Sequence, residues 1–184
     1  DKIDSLDFVA ALSANTVEAY KLYLDNHPKG LYTDQALQAQ EKIDELTVKP
    51  EEEIQIEKLC ETFFSSLATK NEEILLSTVD NVMDNFLNKK NATHSDIKAL
   101  SEKLAESSSS NPKTFIVNND FNIHKSYESS GDLSYNVTFS VNGINSDNQM
   151  AEKYAVNVIV GSNMKIKSLG MKRSASNDTN KRQE

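Results

Sequence analysis

The sequence predicts an α+β protein: an N-terminal helical hairpin, then helices packed on a curved four-stranded antiparallel sheet. Three observations lead there. Apolar residues recur at helical spacing as far as Leu104, they switch to alternation after Lys113, and Pro28 and Gly30 form a corner between two helical stretches. The chain accordingly divides into a hairpin module over 1–48, an α+β domain over 54–173 and a polar, disordered tail over 174–184.

Asp4-Ser5 predicts the cap of a short helix carrying Leu6, Val9, Ala10 and Leu12. Asn15-Thr16 opens a second helix, in which Val17, Ala19, Tyr20, Tyr23 and Leu24 fall at helical spacing. It must stop at Asn26-His27-Pro28-Lys29-Gly30, because Pro28 cannot continue a helix and Gly30 tolerates left-handed geometry. A third helix from about Tyr32 to Leu46 buries Ala36, Leu37, Ile43 and part of Gln40.

Residues 47–53 read as a linker that becomes a helix start, with Pro50 in the first turn and Glu51, Glu52 and Glu53 favoured there by the helix dipole. That helix runs to about Thr69 and presents Ile54, Ile56, Leu59, Cys60, Phe63, Phe64 and Leu67. A short helix follows at 72–79, residues 82–87 suit either helix or strand, and Thr93 with Asp96 forms a capping box for a helix burying Ile97, Leu100 and Leu104. Ser107 to Ser110 closes it in a polar loop. Phe115, Val117, Phe121 and Ile123 then alternate with polar residues along one strand, and residues 129–132 turn the chain. Leu133, Tyr135, Val137, Phe139 and Val141 give the next strand, residues 142–149 a hairpin loop, and Tyr154, Val156, Val158 and Val160 a third strand. Gly161-Ser162 reads as a two-residue turn into a last strand from Met164 and Ile166 towards Met171.

Two resemblances follow from these residues. The pattern Thr16-x-x-Ala19-Tyr20-x-x-Tyr23-Leu24, Pro28-x-Gly30-x-Tyr32 and Ala36 resembles the tetratricopeptide-type hairpins of bacterial envelope proteins. The element order over 54–173 is similar to the NTF2-like (cystatin-like cone) fold, together with Phe63-Phe64, Leu75-Leu76, Phe86-Leu87-Asn88 and Asn163-Met164-Lys165-Ile166-Lys167-Ser168-Leu169. The second resemblance implies a cone whose mouth either holds a ligand or is packed shut. In enzymes of that family an inward Asp or His acts as base beside Tyr donors.

Composition removes several function classes. The net charge is −8, so the chain lacks the cationic field that nucleic acid or an anionic membrane needs. No stretch approaches the roughly 18 apolar residues of a membrane span. The chain starts at Asp1 rather than Met, so the missing secretory signal decides nothing. One cysteine, Cys60, excludes an internal disulfide framework and reads as a buried thiol. His27, His94 and His124 lie in three separate elements, so no metal site is expected, and no cofactor motif is present.

The inward-phase tyrosines Tyr127, Tyr135 and Tyr154 are the ligand-pocket candidates. Asp120 and His124 resemble an acid/base pair, yet their phase puts them on the wet face with Asn118 and Asn122. The partner-surface candidates are Asn118, Asp120, Asn122, His124, Asn136 and Thr138 on that face, and the stripe Tyr20, Tyr23 and Tyr32. The sequence therefore predicts a non-catalytic binding or assembly module, with a protein partner or a second copy docking through the sheet face. The resemblances place it outside the cytoplasm, in the periplasm or at the cell surface of a bacterium. The alternative is an NTF2-like small-molecule binder, or an isomerase- or dehydratase-type enzyme, using the cone interior.

Overall fold

Thr16 starts the second helix for a visible reason: its hydroxyl accepts the Ala19 N–H at 3.1 Å, satisfying one of the free donors of the first turn. The structure is a computed structural model that describes residues 2–106, 114–145 and 150–174. The expected loop at 107–110, the second half of the loop expected at 142–149 and all but one residue of the expected tail lie outside the described residues, while residues 142–144 of that loop are strand. Two compact units are present, Asp1–Thr47 and Val48–Glu184.

The first unit holds α1 (Lys2–Ala14), α2 (Val17–Asn26) and α3 (Thr33–Glu45). Its core is Phe8, Ala11, Tyr20, Tyr23 and Ala36, with Tyr32 and Ile43 packed around it. Phe8 stacks on Tyr32 with ring centroids 4.6 Å apart and leans on Tyr23 at 5.3 Å. Two expectations are corrected here. Leu6, Val9 and Leu12 are exposed, because α1 turns Asp4, Phe8 and Ala11 inward instead. In α3, Leu37 is exposed while Ala36 carries the contact.

Asp4 does not cap α1; it wires the α2–α3 corner. Its carboxylate accepts the Tyr23 hydroxyl at 2.5 Å and the Leu31 N–H at 2.8 Å, and the two bonds hold its acid below the usual range. Gly30 is required for this approach, since a Cβ there would lie 2.5 Å from the Tyr23 hydroxyl and 2.7 Å from Asp4 Oδ1.

The second unit runs α4 (Pro50–Thr69), α5 (Glu72–Ser77), β1 (Val82–Phe86), β2 (Lys89–Thr93), α6 (His94–Ala105), β3 (Thr114–Val117), β4 (Asn122–Tyr127), β5 (Leu133–Ile144), β6 (Met150–Gly161) and β7 (Ile166–Arg173). The sheet has seven strands in the order β2-β1-β7-β6-β5-β3, with β4 also on β5. All pairings are antiparallel except β1 with β7. The sheet is larger than the four strands expected because β1 and β2 add two and the strand expected over 115–123 divides into β3 and β4. Residues 82–86 resolve as strand β1. The segment Lys89–Thr93 pairs with it although it buries only Ala92, which leaves no alternating signal. The hairpin between them turns on Leu87 (φ 49) and Asn88 (φ 72), the left-handed pair a tight two-residue turn needs.

The strand expected over residues 115–123 is two strands, and Asp120 is the cause. β3 pairs with 141–144 and β4 with 133–138 of β5. Between those stretches, Asp120 accepts the Ser140 N–H at 2.8 Å and its hydroxyl at 2.6 Å, in place of a strand carbonyl. The last hairpin also differs from the two-residue turn expected. It closes by Gly161 N–H to the Lys165 carbonyl, with Met164 left-handed at φ 57.

α4 supplies the core of this unit. Ile56, Cys60, Phe63, Phe64 and Leu67 face Val137, Phe139, Val141, Val156, Val158 and Leu169 of the sheet, all of them buried. Ile54 falls off that face and is exposed. In α6 the fully buried positions are Ile97, Ser101 and Ala105, while Leu100 and Leu104 are half-buried. The capping box at Thr93 and Asp96 is formed.

Candidate functional site

Glu52, at the third position of α4, gathers the buried charges of the second unit. Its Oε2 accepts the Lys49 N–H at 2.9 Å, closing the start of the helix. Its Oε1 accepts Lys125 Nζ at 2.8 Å and the Tyr135 hydroxyl at 2.7 Å. Lys125 and Tyr135 are register partners on β4 and β5, and the ammonium lies 5.5 Å from the tyrosine ring centroid. The Lys125 side chain is only 6% exposed and that of Glu52 21%.

These contacts set the protonation states. Burial alone would raise the Glu52 acid, but the Lys125 ammonium, the Lys49 N–H and the Tyr135 hydroxyl outweigh it and hold it at about 2. Burial and the neighbouring Glu52 carboxylate push the Tyr135 phenol well above its ordinary range. A carboxylate and a phenol so fixed exchange no protons near neutrality. Cys60 is pushed up to about 12 by burial and the acids Glu61 and Glu57, which leaves it an unreactive thiol.

The other candidates fall as follows. Tyr135 is buried as expected, but its hydroxyl is spent on Glu52. Tyr154 is buried with its hydroxyl on Glu152, which also meets Arg173 at 2.6 Å. Tyr127 is exposed, at the end of β4, and does not line the interior. Tyr20 and Tyr23 are 1% and 2% exposed, and Tyr32 is half-buried against Phe8. They are the core of the first unit and offer no partner surface, because each hydroxyl is taken internally by Asn15, Asp4 or Ser5.

Asn118 bonds Ser140 and Asn142 across the strand break, and Asp120 is bound to Ser140. Among the described residues Asp120 and His124 share no hydrogen bond, so they are not an acid/base pair. The outward face of the sheet has a plainer property. Two register rows cross four strands, His124–Asn136–Ile159–Ser168 and Asn122–Thr138–Asn157–Gly170, and neither contains a carboxylate or an ammonium. Asn122, His124, Asn136, Thr138 and Asn157 are exposed there. Among the described residues no cluster of His, Cys, Asp and Glu is fit to hold a metal ion, and no helix is long and apolar enough to cross a membrane.

Glu52 and Lys125 were not singled out from the sequence. The available signal was Lys125 itself, which occupies an inward position between Ile123 and Tyr127 where an apolar residue would be ordinary.

No protein-family model and no curated protein sequence matches the chain. Solved structures do. A protein of unknown function with a cystatin-like fold from Nostoc punctiforme superposes with a TM-score of 0.56 at 16% identity, over 71% of this chain and 97% of that one. Aln2 from a Streptomyces species gives 0.51 at 11% identity, over 68% and 93%. An NTF2-like protein of unknown function from an Exiguobacterium species gives 0.41 at 11%, over 64% and 99%. At these identities the first two likenesses establish architecture and nothing of activity: the chain contains an α+β unit of the cystatin-like fold.

Proposed function

We propose that this chain is a non-catalytic binding or assembly module of a bacterial cell envelope, joining a second copy of itself through the outward face of the sheet. The observation that carries the reading is the pair of uncharged rows across β4, β5, β6 and β7. In a chain whose residues are 26% charged, a four-strand band without Asp, Glu, Lys or Arg is a surface that can be covered without stranding an ion. The interior supports the same reading. Phe63, Phe64, Phe86 and Phe139 are buried together in the core between α4 and the sheet, and Glu52, Lys125 and Tyr135 satisfy one another. The envelope location rests on the likeness of the first unit to tetratricopeptide-type hairpins. An isomerase- or dehydratase-type activity would need a shielded acid or base, and Glu52 at about 2 is poorly matched to that task.

Light scattering on the eluting size-exclusion peak at micromolar concentration tests the assembly. The expected mass is that of two chains, and Thr138→Lys, which plants an ammonium in the middle of the band, returns it to one. A mass of one chain for the unaltered protein removes self-association. A dimer unaffected by Thr138→Lys moves the interface elsewhere.

A further inference from the structure

A cavity of about 380 Å³ opens between the C-terminal half of α4, α5 and α6, and none of its described lining residues lies in a named strand. It is therefore separate from the sheet-lined interior and from the outward face. Its floor is apolar and buried, made by Leu67, Leu75 and Ala105. Ser101, 4% exposed, is one of its lining residues, and its buried hydroxyl has no hydrogen-bond partner. A buried hydroxyl without a partner is costly, and side chains of this kind are ordinarily satisfied by the protein or by something that binds. Ser66 beside it is already committed, donating to the Phe63 carbonyl at 2.7 Å.

The mouth is charged. Lys98 on α6 pairs with Glu72 on α5, and this pair cancels itself. What remains among the described lining residues is Lys70 on one side and two carboxylates, Glu102 on α6 and Glu106, the extended residue that caps its C-terminus. Among the described residues the rim is thus net negative, above an apolar floor with the Ser101 hydroxyl unpartnered. The volume lies within the range of small-ligand pockets.

We infer that this helix-lined cavity binds a small organic ammonium: a compact apolar body against Leu67, Leu75 and Ala105, its N–H donated to Ser101 and its charge facing Glu102 and Glu106. The ligand's apolar part supplies the affinity, and the carboxylates select cation over anion. This site stands apart from the sheet-face assembly, and the failure of either leaves the other intact.

Benzylamine, with benzyl alcohol and benzoate as its neutral and anionic partners of the same shape, tests the inference on the full chain by amide chemical-shift titration. For about eight non-hydrogen atoms the expected dissociation constant is about 1 mM. Benzylamine is expected to shift the amides of Leu67, Leu75, Ser101 and Ala105 saturably, and benzoate to bind roughly tenfold more weakly. Ser101→Leu fills the cavity and removes the shifts. The double variant Glu102→Gln/Glu106→Gln, altered only at exposed positions, brings benzylamine down to the level of benzyl alcohol. No saturable shift at those amides, equal binding of benzoate, or undiminished binding by either variant overturns the site.

Discussion

Replacing Glu52 with Ala lowers the unfolding free energy of the α+β unit by about 3–5 kcal/mol, measured from urea unfolding. The size comes from what is left behind. Lys125, 6% exposed, keeps its charge and loses its carboxylate partner, while Tyr135 loses the acceptor of its hydroxyl. The start of α4 also loses the side chain that accepts the Lys49 N–H. Adding Lys125→Met to Glu52→Ala recovers most of the loss, because the second change removes the stranded ion. A loss below about 1 kcal/mol for Glu52→Ala would place the pair among ordinary solvated surface ion pairs and refute a buried cluster.

Phe64→Ala lowers stability by about 3–5 kcal/mol as well, by opening a hole in the core. Phe64 is 1% exposed and meets Phe63 at 5.2 Å, Phe115 at 5.8 Å and Phe139 at 5.9 Å between ring centroids. It ties α4 to β3 and β5 at once. Ile54→Ala on the same helix is the control: the side chain is 64% exposed, and its removal changes stability by less than about 0.5 kcal/mol. A comparable effect from both substitutions would mean that the interior is not closed around Phe64.

What the sequence revealed followed signal strength. α4, α6 and β5 were legible because each combines a strong periodic stripe with clear punctuation: Pro50 at one start, Thr93 with Asp96 at another, Gly131 before the strand. β2 was not, since Lys89–Thr93 pairs through its backbone and buries a single alanine. Alternation also passed unbroken through the gap between β3 and β4, because Val117 and Phe121 keep the same parity although Asp120 has taken the place of the ladder at Ser140. In α1 the apolar residues outnumber the sites available, and composition alone could not choose Phe8 over Leu6 or Val9.

The candidate sites were harder to read because they depend on long-range pairing. Parity assigned Tyr135 and Tyr154 to the interior and Asn136 and Thr138 to the outside, as the structure has them. Parity failed at Tyr127, where β4 ends and the side chain is exposed. It could not show that Tyr135 meets Glu52, 83 residues away. Nor could it place Tyr20 and Tyr23 in a core rather than on a surface, since an aromatic stripe looks the same until its partner is known.

The claim on which the functional reading rests is that the charged cluster beneath the sheet is self-satisfied, and a carbon-13 NMR titration of the Glu52 carboxyl tests it directly. Its folded acid constant lies below the ordinary 4.5, so its stabilisation is fully present above that pH and is lost as pH falls towards 2. The expected carboxyl resonance stays at its ionised position from neutral pH down to about 3 and titrates near 2, with unfolding setting in over the same interval. A midpoint above about 5 would reveal a desolvated acid without its partners, the kind of group an active cone needs, and would contradict the non-catalytic reading.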